Sequence, residues 1–364
     1  MPKKPASTAA APPEFFFTRE LAGEAPPTFA AIQRLYGLAT DLFGLVPWQL
    51  LDESELVLTR DSVSGELWCC SVMGSLGEVY SMHAYRGERG LRLFRKIAAG
   101  EIADPGEALT SMDCLYVEFV PRQELKRQDR ELLAALGHPR GRNLASPVFR
   151  VIRPGFHPWF VNADEARTLA ECIRAVVVIC TSMAAQAEEN FWNGEGVYPV
   201  VTRAEGAEPR YNVDLVKPVL PPEPPVEPVK IPEELRSRLR GHDYALRGAM
   251  ELEYIFSGAA VGKSNERPSC AAIALAVDAD SGIVYAPEAT DSTVAPEVAL
   301  ARVFLAAVKG AGVLPREVRV RSQRHKASLA ALMESLGVNI RVMNRLPAAE
   351  QACEHLLGFL GGAR

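Results

Sequence analysis

The chain has 364 residues, 48% of them hydrophobic, with seven cysteines and a formal net charge of −5. That length exceeds one average core and suits two globular domains plus linkers. Residues 1–232 carry 24 Lys/Arg against 30 Asp/Glu and residues 233–364 carry 16 against 15, so neither half has the basic excess of a dedicated nucleic-acid binder.

The opening "MPKKPASTAAAPPEFF" has two lysines but no apolar core of a signal peptide, and residues 1–28 read as a disordered tail. "TFAAIQRLYGLATDLF" has helical periodicity. "ELVLTRD", "GELWCCSVMG" and "EVYSMHAYRG" then alternate as strands with glycine-containing turns, giving a three-stranded meander. "GLRLFRKIAAG" returns to helix, "CLYVEFV" to strand, and "RQELKRQDRELLAALG" is a charged helix ending on Gly137. "SPVFRVIRPGFHPWFV" reads as a hairpin interrupted by Pro154 and Gly155, and Asn162 is the N-cap of a long buried helix through "AVVVICTSMAA". That apolar run, 175–185, is shorter than the roughly 18 residues of a membrane span. The cysteines at 69, 70, 114, 172, 180, 270 and 353 lack C-x-x-C spacing and sit mostly in apolar stretches, as reduced thiols of a cytoplasmic protein do. Residues 29–216 form an α+β domain on this reading.

"KPVLPPEPPVEPVKIP", residues 217–232, is too proline-rich for helix or sheet interiors and reads as an extended interdomain linker. Residues 233–364 then alternate more regularly. "RGAMELEYIFSGAAV", "SCAAIALAVDAD" and "GIVYAPEAT" are strands, with Asp280, Ser281 and Gly282 turning the last pair. "APEVALARVFLAAVKGAG" is a helix with proline at its start and glycine at its end, followed by strand "REVRVRS", helix "HKASLAALMESLG", strand "NIRVMN" and helix "PAAEQACEHLLGFLG". The order is βββαβαβα, an α/β domain.

"SGAAVGKS", residues 257–264, nearly spells a phosphate-binding loop. Such a loop works by delivering a strand into a helix N-terminus, and here Pro268 and a second apolar strand follow instead, so the stretch reads as a turn between strands. No cofactor is expected from it.

The order βββαβαβα resembles the ribonuclease H-like fold and the cores of integrases and transposases. That resemblance implies carboxylates on the first strand, after the fourth strand and on a late helix, holding two metal ions. Carried onto this sequence, the first falls on Glu253 and the third on Glu350 or Glu354, but the second falls near Arg321 or Ser322, where no acid stands. The stretches "GELWCCSVMGSLGEVYSMHAYRGERGLRLF", "ALAVDADSGIVYAPEAT" and "VRVRSQRHKASLAALMESLGVNIRVMNRLPA" also resemble an uncharacterised bacterial family that pairs two domains of unknown function. That resemblance implies no activity.

Three constellations remain. Pairing Met73 with Val79 sets Cys69 opposite His83 and puts Cys70 on the apolar face with Trp68, Val72, Met82 and Ala84, but no acid orients the imidazole, so cross-strand packing outweighs a thiol dyad. Arg316, Arg319, Arg321, Arg324, His325 and Lys326 cluster at a strand end and helix start. Arg319, Arg321, Arg324 and Lys326 are the candidate anion-binding set, against a charged rim tied to Glu317. "FHPWF" (156–160) and "ENFWNGEGVYP" (189–199) concentrate aromatics that cover a core edge unless they form a recognition patch, and Glu188 and Glu189 end the long helix. The expected function is a non-catalytic binding or accessory module for an acidic protein or small anion, with nucleic acid a weaker partner and no membrane. The alternatives are a diverged metal-dependent nucleic-acid enzyme around Glu253, or an anion- or nucleotide-sensing domain.

Overall fold

A computed structural model describes residues 23–102, 111–137, 145–185, 191–204, 210–263 and 266–361, with short gaps at 193, 224 and within 232–243. Helix α1 (Phe29–Gly44) begins at Thr28, whose Oγ1 accepts from the Ala31 N–H. Strands β1 (Val57–Arg60), β2 (Leu67–Met73) and β3 (Ser81–Arg86) follow, then α2 (Gly87–Ala98), β4 (Cys114–Val120) and α3 (Arg127–Ala135). The half closes with β5 (Ser146–Ile152), α4 (Ala163–Ala185), β6 (Tyr198–Arg203) and β7 (Tyr211–Val216). The sheet order is β5-β4-β3-β2-β1-β6-β7. Every pairing is antiparallel except β1 with β6, which run parallel.

Period-two alternation buries both faces of this sheet. Trp68, Cys70, Val72, Met82 and Ala84 pack under α1 and α4, while Leu58, Cys69, Tyr85 and Cys114 pack under α2. Helix α4 starts with a reciprocal cap: Asn162 Oδ1 accepts from the Glu165 N–H, and the Glu165 carboxylate accepts from the Asn162 N–H. At 23 residues α4 is longer than its apolar run suggests, and by length and composition it could cross a membrane. It lies instead across the sheet, with Leu169, Cys172, Ile173, Val176 and Ile179 buried.

Several expectations need correcting here. Residues 1–22 lie outside the described residues, but the rest of the presumed tail is fixed: Glu24 pairs with Arg153, and the Ala25 carbonyl accepts from the Ala163 N–H. The β2–β3 register is shifted by two residues, with Met73 opposite Ser81 and Cys69 opposite Tyr85. The cause is a longer turn. Gly74 (φ 142°) and Gly77 (φ 78°) widen it, and the Tyr80 ring leaves the strand to pack on Trp48. A shift of two keeps every side chain on its expected face. The return strand of the "RPGFHPWF" hairpin shrinks to one bridge between Val151 and Trp159. Strands β6 and β7 were not foreseen.

The C-terminal half contains β8 (Ala245–Leu246), β9 (Ala249–Val261), β10 (Ser269–Asp278), β11 (Val284–Asp291), α5 (Pro296–Ala311) and β12 (Val313–Leu314). It ends with β13 (Glu317–Val320), α6 (Gln323–Ser335), β14 (Asn339–Val342) and α7 (Pro347–Gly361). Its five-stranded sheet has the order β11-β10-β9-β13-β14, and β8 and β12 form a separate two-residue pair. Strands β9, β10 and β11 are antiparallel neighbours, and β13 runs parallel to both β9 and β14. Helices α5 and α6 cover one face over Leu252, Tyr254, Val318 and Val320, and α7 covers the other over Leu275 and Val277. The near-phosphate-loop resolves into strand and turn. Ser257 to Val261 belong to β9, Gly262 turns the chain, and β10 starts at Ser269 with no helix between, while Ser264 lies outside the described residues.

The proline-rich stretch is docked at both ends. Arg92 donates to the Pro221 carbonyl, Lys96 pairs with Glu223 at 2.6 Å, and Leu220 packs beside α2. Further on, the Val229 N–H donates to the Ser328 carbonyl and the Ser328 hydroxyl donates to the Glu227 carbonyl, which lays the chain along α6. The two sheets also touch directly. The Gly155 carbonyl accepts from the Cys270 N–H at 3.0 Å and from the Ser292 hydroxyl, and the His157 N–H donates to the Pro268 carbonyl. Gly155 has φ +80°, and a Cβ there would stand 2.7 Å from the Ser292 Cβ, so both conformation and space demand glycine.

Candidate functional site

A densely charged layer lies between the second sheet and α7. In β9, Glu251 and Glu253 alternate with Leu252 and Tyr254, so the two acids share the face beneath α7. In β13, Glu317 and Arg319 alternate with Val318 and Val320, and Arg321 continues the charged row just past the strand end. The parallel register sets Arg319 beside Glu251 and Arg341. Strand pairing thus assembles two rows of opposite charge before any side chain chooses a partner.

The contacts are specific. Arg321 Nε donates to Glu253 Oε2 at 2.9 Å, and its Nη2 reaches the same oxygen and lies 3.5 Å from Glu350 Oε1 on α7. Arg319 Nε donates to Glu317 Oε1 at 2.8 Å, with Nη1 at 3.8 Å from Glu251. The other Glu251 oxygen accepts from the Ala349 N–H at 2.9 Å, placing a buried carboxylate against the N-terminal turn of α7, where the helix dipole favours it. Arg345 closes the outer edge on Glu350 at 2.7 Å, and Arg341 lies 3.5 Å from Glu317. Four glutamates therefore meet four arginines. The hydrogen bond from Arg319 holds the Glu317 carboxyl below the usual carboxylate range, and that from Arg345 does the same for Glu350. Burial, reinforced by Glu253, pushes the Cys353 thiol up to about 11.

Three of the four cations proposed for an external anion are thus engaged by carboxylates. Arg319 and Arg321 belong to the ladder, and Arg324 Nε donates to Glu297 at 2.6 Å. Arg316 donates to the Leu246 carbonyl, and His325 is buried in the first turn of α6, where its N–H meets the Ser322 hydroxyl. Lys326 has no ion-pair partner among the described residues. Glu251 and Glu297 were missed by the sequence reading. The signal for Glu251 was present: "MELEY" and "EVRVR" place charges at the same period of two, so pairing the strands pairs the charges.

Cys69 is not opposite His83. It lies fully buried across from Tyr85, and burial raises its thiol far above the ordinary range, the opposite of what a nucleophile needs. Burial lowers the His83 imidazole to about 4. The aromatic stretches cover the core: Phe160 and Phe191 are buried, and Trp192 Nε1 donates to the Leu56 carbonyl. Glu188 and Glu189 lie outside the described residues.

Residues 33–198 match the family model of a domain of unknown function (DUF7309), and residues 236–357 match that of a second domain of unknown function (DUF6930). The two matched stretches lie one in each half of the chain. No curated protein matches it in sequence. The second match spans the whole ladder, from β9 to Glu350. The first stops at the start of β6, so the strand running parallel to β1 lies almost wholly beyond it.

Proposed function

We propose that the protein is a non-catalytic binding or accessory module of the bacterial cytoplasm. On this reading residues 29–216 and 233–364 are its two domains, residues 217–232 join them, and the second has a ribonuclease H-like fold. Three antiparallel strands followed by two parallel ones, in the spatial order third, second, first, fourth, fifth, support that fold assignment. The observation that carries the functional reading is the position of Arg321. Its guanidinium contacts Glu253 on the first strand and approaches Glu350 on the last helix, where the fold relatives would put cations between carboxylates. The residues do not fit a metal pair. Among the described residues no three His, Cys, Asp or Glu side chains are grouped to hold one, and a divalent ion at Glu253 would meet the Arg321 charge.

A Mn²⁺ titration by calorimetry tests this. No saturable binding is expected in the wild type, whereas saturable binding lost in Glu253→Gln would sink the reading in favour of a diverged metal-dependent nucleic-acid enzyme. The partner of such a module is an acidic protein or a small anion, with charge complementarity providing the recognition.

A further inference from the structure

A second arginine cluster, in the first domain, has the opposite character. Strands β1 and β6 are the one parallel pair of their sheet, and they end side by side at Arg60 and Arg203, with Thr59 paired to Val201. Beyond those ends lies a hollow of about 860 Å³ floored by the sheet and walled by α1 and α4. It exists because its helix walls carry small side chains: Ala31 on α1 and Ala166 and Ala170 on α4 leave the space open. Arg167 and Arg174, seven residues apart, share one side of α4, and Arg34 faces them from α1. Ligands of open sheets commonly sit outside the carboxyl ends of parallel strands, and hollows of a few hundred to about 1,000 Å³ suit small molecules.

The charges decide what this hollow would take. Its acids among the described residues are Asp61 and Glu171, and both are already engaged. Asp61 accepts from Arg167 at 2.7 Å and from the Thr168 hydroxyl at 2.6 Å, and Glu171 accepts from the Ser62 N–H and hydroxyl. Although burial alone would raise it, the Asp61 carboxyl is held well below the usual carboxylate range by Arg167, Thr168 and Ser64, so it stays an anion that fixes Arg167. Arg34, Arg174 and Arg203 have no hydrogen-bond or ion-pair partner among the described residues. Three guanidiniums around one opening, without a partner among the described residues, are suited to several phosphate oxygens at once, by forked charge-assisted hydrogen bonds. Tyr211, half-buried on the wall, offers an aromatic surface that inorganic phosphate would leave unused.

We infer that the hollow between α1, α4 and the ends of β1 and β6 binds a nucleoside polyphosphate through Arg34, Arg174 and Arg203. The site is independent of the Arg321 ladder. The full chain titrated with ADP, ATP, inorganic tripolyphosphate and a short single-stranded oligonucleotide, by calorimetry and thermal unfolding, tests it. ADP or ATP binds saturably and raises Tm, and Arg174→Gln and Arg203→Gln each weaken binding about tenfold, as losing a charge-assisted hydrogen bond does. Lys326→Gln leaves binding unchanged. Tm measured without ligand for each variant separates lost binding from lost folding, since both side chains sit on the surface of the hollow. The inference is overturned if no nucleotide shifts Tm at millimolar concentration. It is likewise overturned if Lys326→Gln rather than the hollow variants abolishes binding, if tripolyphosphate binds as tightly as ATP, or if only the oligonucleotide binds.

Discussion

Both halves of the molecule gather arginines around the ends of parallel strands, yet the two gatherings behave as opposites. In the second half four arginines meet four glutamates across the sheet and α7, and Arg319 and Arg321 are used up by Glu317 and Glu253. In the first, Arg167 is matched by Asp61 and Glu171, while Arg34, Arg174 and Arg203 face an open hollow. What separates a structural cluster from a receptive one is whether an acid occupies the neighbouring position in space. Density of arginine along the sequence carries no such information: the richest run, 316–326, proves the more self-satisfied of the two.

The largest effect should come from unbalancing the matched cluster. Arg321→Met leaves Glu253, with a side chain only 4% exposed, without its cation; the expected loss is about 3 kcal/mol in chemical denaturation, the cost of breaking a buried pair from one side. Adding Glu253→Leu should recover most of it, and a double variant worse than the single one would mean the ladder is not a pair-wise device. Next comes the junction between the halves. Gly155→Ala combines a left-handed backbone with a 2.7 Å collision at Ser292, which should cost about 2–4 kcal/mol and quicken proteolysis near the linker. If the halves are energetically separate, it leaves nucleotide binding in the first hollow intact.

pH acts on the first half through two groups. His83 lies in the first sheet with its imidazole lowered to about 4 by burial, against 6.5 for an ordinary histidine. The neutral form is the one the fold accepts, so this contribution is full above pH 6.5 and is lost as pH falls towards 4. Urea titrations across that window should show a loss on the order of 2–3 kcal/mol that His83→Phe flattens. Asp61 acts only lower down, because its carboxyl is held below 3.8 and its stabilisation disappears as pH drops beneath that value. At the small end, Arg302→Ala removes an exposed pair with Glu288 and should change stability by no more than about 0.5 kcal/mol. A much larger shift would show that surface pairs matter here as much as the ladder.

Much of this architecture was legible before the structure. Pro296 and Gly312 bounding α5, the Asn162 cap and the turn at Asp280 to Gly282 all follow from local chemistry and appear, whereas the expected order βββαβαβα is interrupted by the two-residue strands β8 and β12. The face of each side chain in β2 and β3 was also readable, because alternation survives a register error of two. What sequence could not supply was long-range pairing. Strands β6 and β7 are short, and β6 finds its partner more than 130 positions away in β1, so nothing local marks the hollow they create. The fate of Arg321 was hidden for the same reason. Whether a guanidinium points at solvent or at Glu253 depends on a strand alignment 68 residues apart in the chain.

The linker has a mechanical meaning. It is fastened to α2 through Pro221 and Glu223 and to α6 through Glu227 and Val229, so little slack lies between the two anchorages. The step from Glu223 to Glu227 can stretch to about 14 Å at full extension. It works as a short leash: the two halves cannot drift far apart while both ends of the strap stay on their helices. Any large rearrangement of the molecule must therefore begin with the peeling of one end.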